Sequence, residues 1–264
     1  MKALLKKLFV HPLAASVDIE AADSIEVHHK IIKSKKLLRL VYDFWYKEMM
    51  RGLEPTKHLE GLAIVELGSG ASFIEQYIPS VIKTDVVYNP NAQEIVNGEK
   101  MPYADNSVRL LLLTHVLHHM HSAETFLKEA QRCLAPGGRI VMIEAATSPL
   151  GKLVTKYCNP HEYYDTTITT WENPVESRMT HANLALAWVM FFRDRKLYDQ
   201  KFPHLPVREI RRHTLLSYYA SGGVLYRNPV PDFLAGVVWK FEQLCAYLFP
   251  SQCVQMTVQL EKTA

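Results

Sequence analysis

The residues best suited to chemistry begin with Glu66-Leu67-Gly68-Ser69-Gly70, which follows the apolar run Leu62–Leu67. Glycines at such a place let the chain turn sharply and let a ligand approach the backbone. Asp85 stands 15 residues after Gly70, near the end of a second apolar run. A carboxylate there can accept hydrogen bonds from ribose hydroxyls. A plain strand–helix turn would also use Gly68 and Gly70, and a helix cap or surface acid would account for Asp85. Together, in an acidic segment, they favour a nucleoside ligand. The third glycine of the dinucleotide fingerprint is replaced by Phe73, which counts against NAD(P) and FAD.

Downstream, His115 closes a run containing four leucines, and His118, His119 and His121 follow it. His115 is the candidate general base, because ligands gather at the carboxyl ends of parallel strands. The other reading is a histidine that packs beside the ligand without proton transfer. His115 and His119 have the i, i+4 spacing of zinc-binding helices. No Cys or intervening Glu completes a ligand set, so no metal is expected. Glu144 lies near the end of a later apolar run, as a substrate contact or an ion-paired strand-end acid. His161-Glu162-Tyr163-Tyr164-Asp165 falls in a stretch, 147–182, that fits no regular element. Long loops of that kind are usually functional or disordered, and Tyr163 and Tyr164 are candidate substrate contacts or part of a solvated loop.

These residues need elements to hold them. Leu62–Leu67, Val81–Val87, Val108–Thr114 and Arg139–Ala146 read as strands, and Glu94–Asn97 leaves room only for a very short third strand or an irregular connection. Phe73–Ile78 fits a short helix stopped by Pro79. Ser122 is an N-cap for a helix with the apolar stripe Phe126, Leu127, Ala130, Cys133 and Leu134, which Pro136-Gly137-Gly138 ends. Strands alternating with helices imply an α/β fold, a mostly parallel sheet with helices on both faces. Further on, Asn183–Lys201 reads as one long helical stretch, Val207–His213 as a strand, Asp232–Leu248 as an amphipathic helix and Val254–Leu260 as a final strand. The N-terminal flank, with Tyr42, Trp45 and Tyr46, reads either as a lid or as a core-packing helix.

The 264 residues are 48% hydrophobic and 22% charged, and a chain of this length buries roughly 73% of its extended surface. Disordered and fibrous classes are excluded. No apolar run reaches membrane-spanning length. Lys6 and Lys7 interrupt the N-terminal apolar stretch, so an export signal is not expected. Cys133, Cys158, Cys245 and Cys253 have no paired spacing and read as reduced thiols of a cytoplasmic protein. Net charge is +3, but residues 61–150 carry 6 basic and 9 acidic side chains between basic flanks. That field disfavours nucleic acid and suits a cationic cofactor. Met1–Phe9 and Arg193–Arg212 are basic, as a membrane-peripheral contact or a solvated face would be. No oligomeric state follows from these features.

Val65-Glu66-Leu67-Gly68-Ser69-Gly70, Thr84-Asp85-Val86, Met101-Pro102-Tyr103-Ala104-Asp105-Asn106-Ser107, His115-Val116-Leu117-His118-His119 and Leu134-Ala135-Pro136-Gly137-Gly138-Arg139 stand in one order. This order resembles the motifs of class I S-adenosylmethionine-dependent methyltransferases, and more narrowly the UbiE-like, type 11 kind. The resemblance covers Leu59–Pro149 closely and the last strand loosely. It implies a Rossmann-like, seven-stranded, mostly parallel sheet with an antiparallel last strand. It divides the chain into a helical flank or lid (1–58), a cofactor-binding half (59–149) and a substrate-side insertion with C-terminal strands (150–264). It also implies S-adenosyl-L-methionine as cofactor. Glu66, Gly68, Ser69 and Gly70 would line its methionine and ribose side, Asp85 would hold the ribose, and Met101 would lie near adenine. Asn97 stands where relatives often have Asp, and its amide can still bond the adenine edge. Arg109 replaces a usual acid before the fourth strand. Thr114-His115-Val116-Leu117 lacks the Asn/Asp-Pro-Pro-Tyr/Phe pattern of many amino-group methyltransferases, so the expected acceptor is an oxygen or carbon of a small or lipid-linked metabolite. The alternatives are a non-catalytic S-adenosylmethionine-binding protein working through partners and an NAD-dependent oxidoreductase.

Overall fold

The computed structural model describes residues 9–15, 17–18, 21, 24–158, 162–173 and 182–264. His161 and most of Met1–Phe9 therefore lie outside the described residues. Seven strands form one sheet: β1 (Ala63–Leu67), β2 (Val81–Asp85), β3 (Glu94–Ile95), β4 (Val108–Thr114), β5 (Leu134–Ala145), β6 (Val207–His213) and β7 (Gln255–Glu261). Their order is β3-β2-β1-β4-β5-β7-β6. β1 to β5 pair in parallel, while β7 runs antiparallel to both β5 and β6.

Side chains alternate across a strand, and that alternation builds two cores. Val65, Leu111, Leu113, Ile140 and Met142 face one layer, which includes Phe126 and Leu127 of α3 (Ala123–Cys133). Ile64, Leu110, Leu112, Val141 and Ile143 face the other, which is made by α1 (Ser24–Ser34) and α2 (Lys36–Met50). The N-terminal flank is thus a core layer: Val41, Trp45 and Met49 of α2 are buried on the sheet. Ser122 caps α3 as its spacing predicts, its hydroxyl accepting the Thr125 N–H at 3.2 Å.

Four local readings change. Phe73–Ile78 is only a 3-10 turn at Ile74–Gln76. Phe73 is fully buried against Tyr46 (ring centroids 4.9 Å) and Tyr42 (5.9 Å), so packing rather than helical periodicity decides its backbone. Pro136-Gly137-Gly138 is no break outside the sheet, since β5 starts at Leu134 and takes it in as an irregular register with β4. Asn183–Lys201 is not one helix: α5 (Leu186–Trp188) passes through a π-turn, Val189–Arg193, into α6 (Arg195–Lys201). The last long helix starts at Ala235, not Asp232. That helix is α8 (Ala235–Leu248), and α7 (Ser217–Ala220) precedes it; α4 (Pro149–Cys158) lies inside the stretch 147–182 that fits no regular element from sequence, and 3-10 turns stand at Lys57–Leu59, Leu117–His119 and Pro250–Gln252.

Arg109 acquires a plain role. Its Nε donates to Thr56 Oγ1 (2.9 Å) and its Nη2 to Leu53 O (2.8 Å), tying the loop after α2 to the entry of β4. Much of the basic run 193–212 is neutralised by pairs of Arg193 with Asp194, Arg195 with Asp199, Arg208 with Glu261 and Arg211 with Glu48. Leu112 sits in the middle of the sheet with no exposure. Leu112→Ala should lower unfolding stability by about 3 kcal/mol through lost transfer energy and an unfilled cavity. Urea denaturation checks this, and a loss below ~1 kcal/mol would show the layer to be loosely packed.

Candidate functional site

Parallel strands bring their carboxyl ends to one edge, and there a cavity of about 640 Å³ opens. The ends of β1, β2 and β4 form its floor, and α1, α2 and the 218–226 segment form its walls and roof. Gly68 and Gly70 turn the chain after β1 with φ of +63° and +48°. A Cβ on Gly68 would sit 2.7 Å from Val116 Cγ2. The position therefore requires glycine for conformation and for space.

The Asp85 carboxylate accepts the Gly70 N–H (3.1 Å), the Asn89 side-chain amide (2.8 Å) and the Val86 N–H (2.8 Å). A carboxylate has about four lone-pair sites, so these three bonds leave one unused on a residue that lines the cavity. Glu66 differs. Ser72 Oγ donates to its Oε1 at 2.8 Å, but Oε2 is buried with no partner. Burial raises the Glu66 carboxyl to about 7, against the lowering effect of the Ser69 and Ser72 hydroxyls and of Lys83.

His115 ends β4 in a left-handed conformation, φ +56°, the kind of backbone strain that collects at working sites. Trp45 Nε1 donates to Gln255 Oε1 (2.8 Å), and Gln255 Nε2 lies 3.2 Å from His115 Nε2. Indole is a donor only, so the Gln255 oxygen faces Trp45 and its amide N–H must donate to His115. That assigns His115 as neutral, with Nε2 accepting and the proton on Nδ1. Burial lowers its pKa, consistent with neutrality.

His118 occupies a different position. It and Glu144 are each 1% exposed, with Nδ1 2.5 Å from Glu144 Oε2, and its Nε2 is 3.3 Å from Glu162 Oε1. The two carboxylates overcome desolvation and push His118 up to about 10. Both Glu144 and Glu162 are held below the usual carboxylate range by His118, against the opposing effect of burial. A raised histidine stabilises the fold below its unfolded pKa and loses that contribution as pH climbs toward the folded value. This clamp is therefore complete between the ordinary carboxylate value of 4.5 and the ordinary histidine value of 6.5, and it weakens as pH climbs toward 10 or falls below the carboxylate range. Its neighbour His119 moves the other way, to about 4, through burial and the His118 charge. His119 Nδ1 is buried without a partner.

The cavity gathers Glu66, Gly68, Ser69, Gly70, Asp85, Asn97 and His115. It does not gather four other candidates. Met101 is buried in the core, its N–H donating to Glu129. Glu144 is wholly buried and accepts the Val116 and Leu117 N–H groups (3.0 and 2.8 Å) besides His118, so it orders the turn under the site in place of touching a substrate. Tyr163 is 41% exposed, and Tyr164 packs against the core and Gly151. Glu162, which immediately precedes Tyr163, is the described residue of that stretch that reaches the cavity. Tyr218, Tyr219, Gly222 and Gln255 also line it. Their sequence surroundings carry no motif. Lys35 brings the 223–226 segment into place by donating to Gly223 O (2.7 Å) and Tyr226 O.

Residues 68–142 match the family model described as a methyltransferase domain. Two curated relatives match short stretches. One is the hybrid PKS-NRPS synthetase buaA of Petromyces alliaceus, 33% identical over 107 residues, 31% of this chain and 3% of that protein. The other is the uncharacterized protein YafE of Escherichia coli K12, 35% identical over 47 residues, 18% of this chain and 23% of that protein. The chain thus spans only a minor part of either relative. Among solved structures, a proposed sarcosine dimethylglycine methyltransferase from Galdieria sulphuraria superposes with a TM-score of 0.51 at 12% identity, covering 91% of this chain and 98% of the other. At that identity the likeness concerns the fold.

Replacing Gln255 by Glu should convert the bond at His115 into an ion pair, because a carboxylate accepts from both Trp45 and a protonated imidazole. The expected result for Gln255→Glu is a His115 pKa raised by at least one unit in a nitrogen-15 NMR titration. An unchanged pKa would refute the contact between residue 255 and His115, and wild-type nitrogen-15 shifts showing the proton on Nε2 would refute the tautomer assignment.

Proposed function

We propose that this chain, with a methyltransferase-domain segment at residues 68–142 on a class I S-adenosylmethionine-dependent methyltransferase fold, moves a methyl group from S-adenosyl-L-methionine to an oxygen or carbon of a small or lipid-linked metabolite. The observation that carries the reading is the buried, unpartnered Oε2 of Glu66 in the cavity wall. A carboxylate is costly to bury without an answering charge or donor. A ligand bearing cationic groups supplies one, and the tyrosine and tryptophan faces of Tyr42, Trp45 and Tyr46 in the same wall also favour a cation. Bound there, S-adenosylmethionine supplies a methyl group already activated on a sulfonium.

The chain's own residues then bind, orient and exclude water. Gly68 and Gly70 let the ligand reach the backbone, Asp85 offers its remaining lone pair to a ribose hydroxyl, and Asn97 offers its amide at the rim. Orientation of the acceptor is the main catalytic contribution for a displacement with so good a leaving group. His115 offers Nδ1–H as a donor, so it holds an acceptor better than it deprotonates one. His118 already carries its proton, and His119 is only weakly basic. This set favours an acceptor acidic enough to lose its proton to water by itself, such as an acidic enol.

Four outcomes are expected. Calorimetry should show binding of S-adenosylmethionine and none of NAD, and NAD binding alone would remove the reading. Gly68→Val should abolish cofactor binding, and Asp85→Ala should weaken it about tenfold, the worth of one charge-assisted hydrogen bond; unchanged affinity in both would refute the placement. Because a cation favours ionised Glu66, binding should release a proton and tighten as pH rises through about 7. Equal binding heats in buffers of different ionisation enthalpy would contradict this. Separately, labelled methyl groups should appear in a product when the protein is incubated with the donor and fractionated extract; binding with no labelled product would favour the non-catalytic alternative.

A further inference from the structure

The outer face of α8 is apolar and exposed. Phe233, on the turn before the helix, and Val237, Phe241, Leu244 and Leu248 within it recur at three- and four-residue intervals and are 54–79% exposed. That spacing places them in one stripe along the helix. The inner face is anchored: Glu242 accepts the N–H groups of Leu215 (3.2 Å) and Leu216 (2.9 Å), and Trp239 packs on Phe44 with ring centroids 5.5 Å apart. The stripe is therefore a fixed surface and cannot turn inward to hide.

The surface continues past the helix. α4 packs against the Pro250–Gln252 turn that follows α8, where Ser148 Oγ donates to Gln252 O at 3.3 Å. On α4, Leu153 is 55% and Tyr157 is 72% exposed. The charges that accompany this band are mostly positive. Exposed Lys240 lies within the stripe, Lys152 and Lys156 flank Leu153 on α4, and Lys36 stands at the Asp232 end. Asp232 is the acid on the exposed turn before the helix. A large apolar patch edged by one sign of charge marks an interaction surface.

We propose that this face, α8 with the outer side of α4, lies on an anionic lipid bilayer. The apolar stripe enters the acyl boundary while the lysines reach the anionic headgroups. α8 has 14 residues, about 21 Å, short of the roughly 30 Å hydrocarbon core. No helix among the described residues is long and apolar enough to cross a membrane. Lying in the interface is the geometry that fits. The position relative to the cavity is consistent, because the Thr155 hydroxyl of α4 meets the Tyr219 hydroxyl at 3.5 Å and Tyr219 lines the cavity. The surface moves the expected membrane contact away from the basic run 193–212, whose charges are largely paired within the fold. It goes beyond the proposed reaction and holds whether or not the acceptor is a lipid.

The test is co-sedimentation of the full chain with vesicles of phosphatidylcholine alone and with 30 mol% phosphatidylglycerol, alongside light scattering in solution. The expected result is binding to the anionic vesicles, at least tenfold weaker for the double variant Phe241→Glu, Leu244→Glu. The pair Lys152→Glu, Lys156→Glu should lose the preference for anionic lipid while keeping wild-type circular dichroism. A chain that stays in the supernatant with both vesicle types overturns the proposal. So does a stable dimer that the Phe241→Glu, Leu244→Glu variant splits, since the face would then be covered by a second copy.

Discussion

Parallel strands deliver their carboxyl ends to one edge of a sheet, and in this protein three of those ends carry a buried acid: Glu66 on β1, Asp85 on β2 and Glu144 on β5. Removing a carboxylate from water costs several kcal/mol unless donors or a counter-charge answer it. The three are answered unequally. Glu144 receives two backbone N–H groups and the His118 ring, while Asp85 receives two backbone N–H groups and Asn89. Glu66 receives one hydroxyl and keeps an oxygen bare. Glu144, fully answered, orders the turn beneath the site; Asp85, answered by three donors, keeps one lone pair on the cavity lining; and Glu66, the least answered, suits the proposed cationic ligand.

The same electrostatics joins distant parts of the chain. His118 lies between Glu144 in the sheet and Glu162 in the segment after α4, so one imidazolium fastens that segment across the site. Trp45, Gln255 and His115 do the equivalent with neutral groups, linking α2, β7 and β4. Lys35 holds the 223–226 segment through two carbonyls, and its burial lowers its pKa to about 8. Two of these ties reach the sheet and the third holds the 223–226 segment to the start of α2, all in dry settings where hydrogen bonds are strong and their geometry is narrow.

Much of this was legible in the residues. Val108–Thr114 and Val207–His213 are strands over those residues, and the Ser122 cap forms as its side-chain chemistry requires. Gly68 and Gly70 were readable because a left-handed turn at a strand end leaves few alternatives to glycine. Other readings gave way to packing. Phe73 looked like the start of a helix, but the rings of Tyr42 and Tyr46 determine its place. Met101 and Glu144 looked like ligand contacts, yet the backbone N–H groups and core around them use them up.

What the residues alone determined is the order of elements, the glycine turn and the acid that follows it, because these depend on local conformation and on a period of two or 3.6. What only the tertiary structure decided is which polar groups are left over. That Glu66 keeps an open oxygen, that His115 is neutral at Nε2, that His118 carries a charge and His119 does not, and that the outer face of α8 stays uncovered are all outcomes of neighbours far apart in the chain. Desolvation and pairing act through distance in space, and a linear sequence contains no record of which partners will be spent before a ligand arrives.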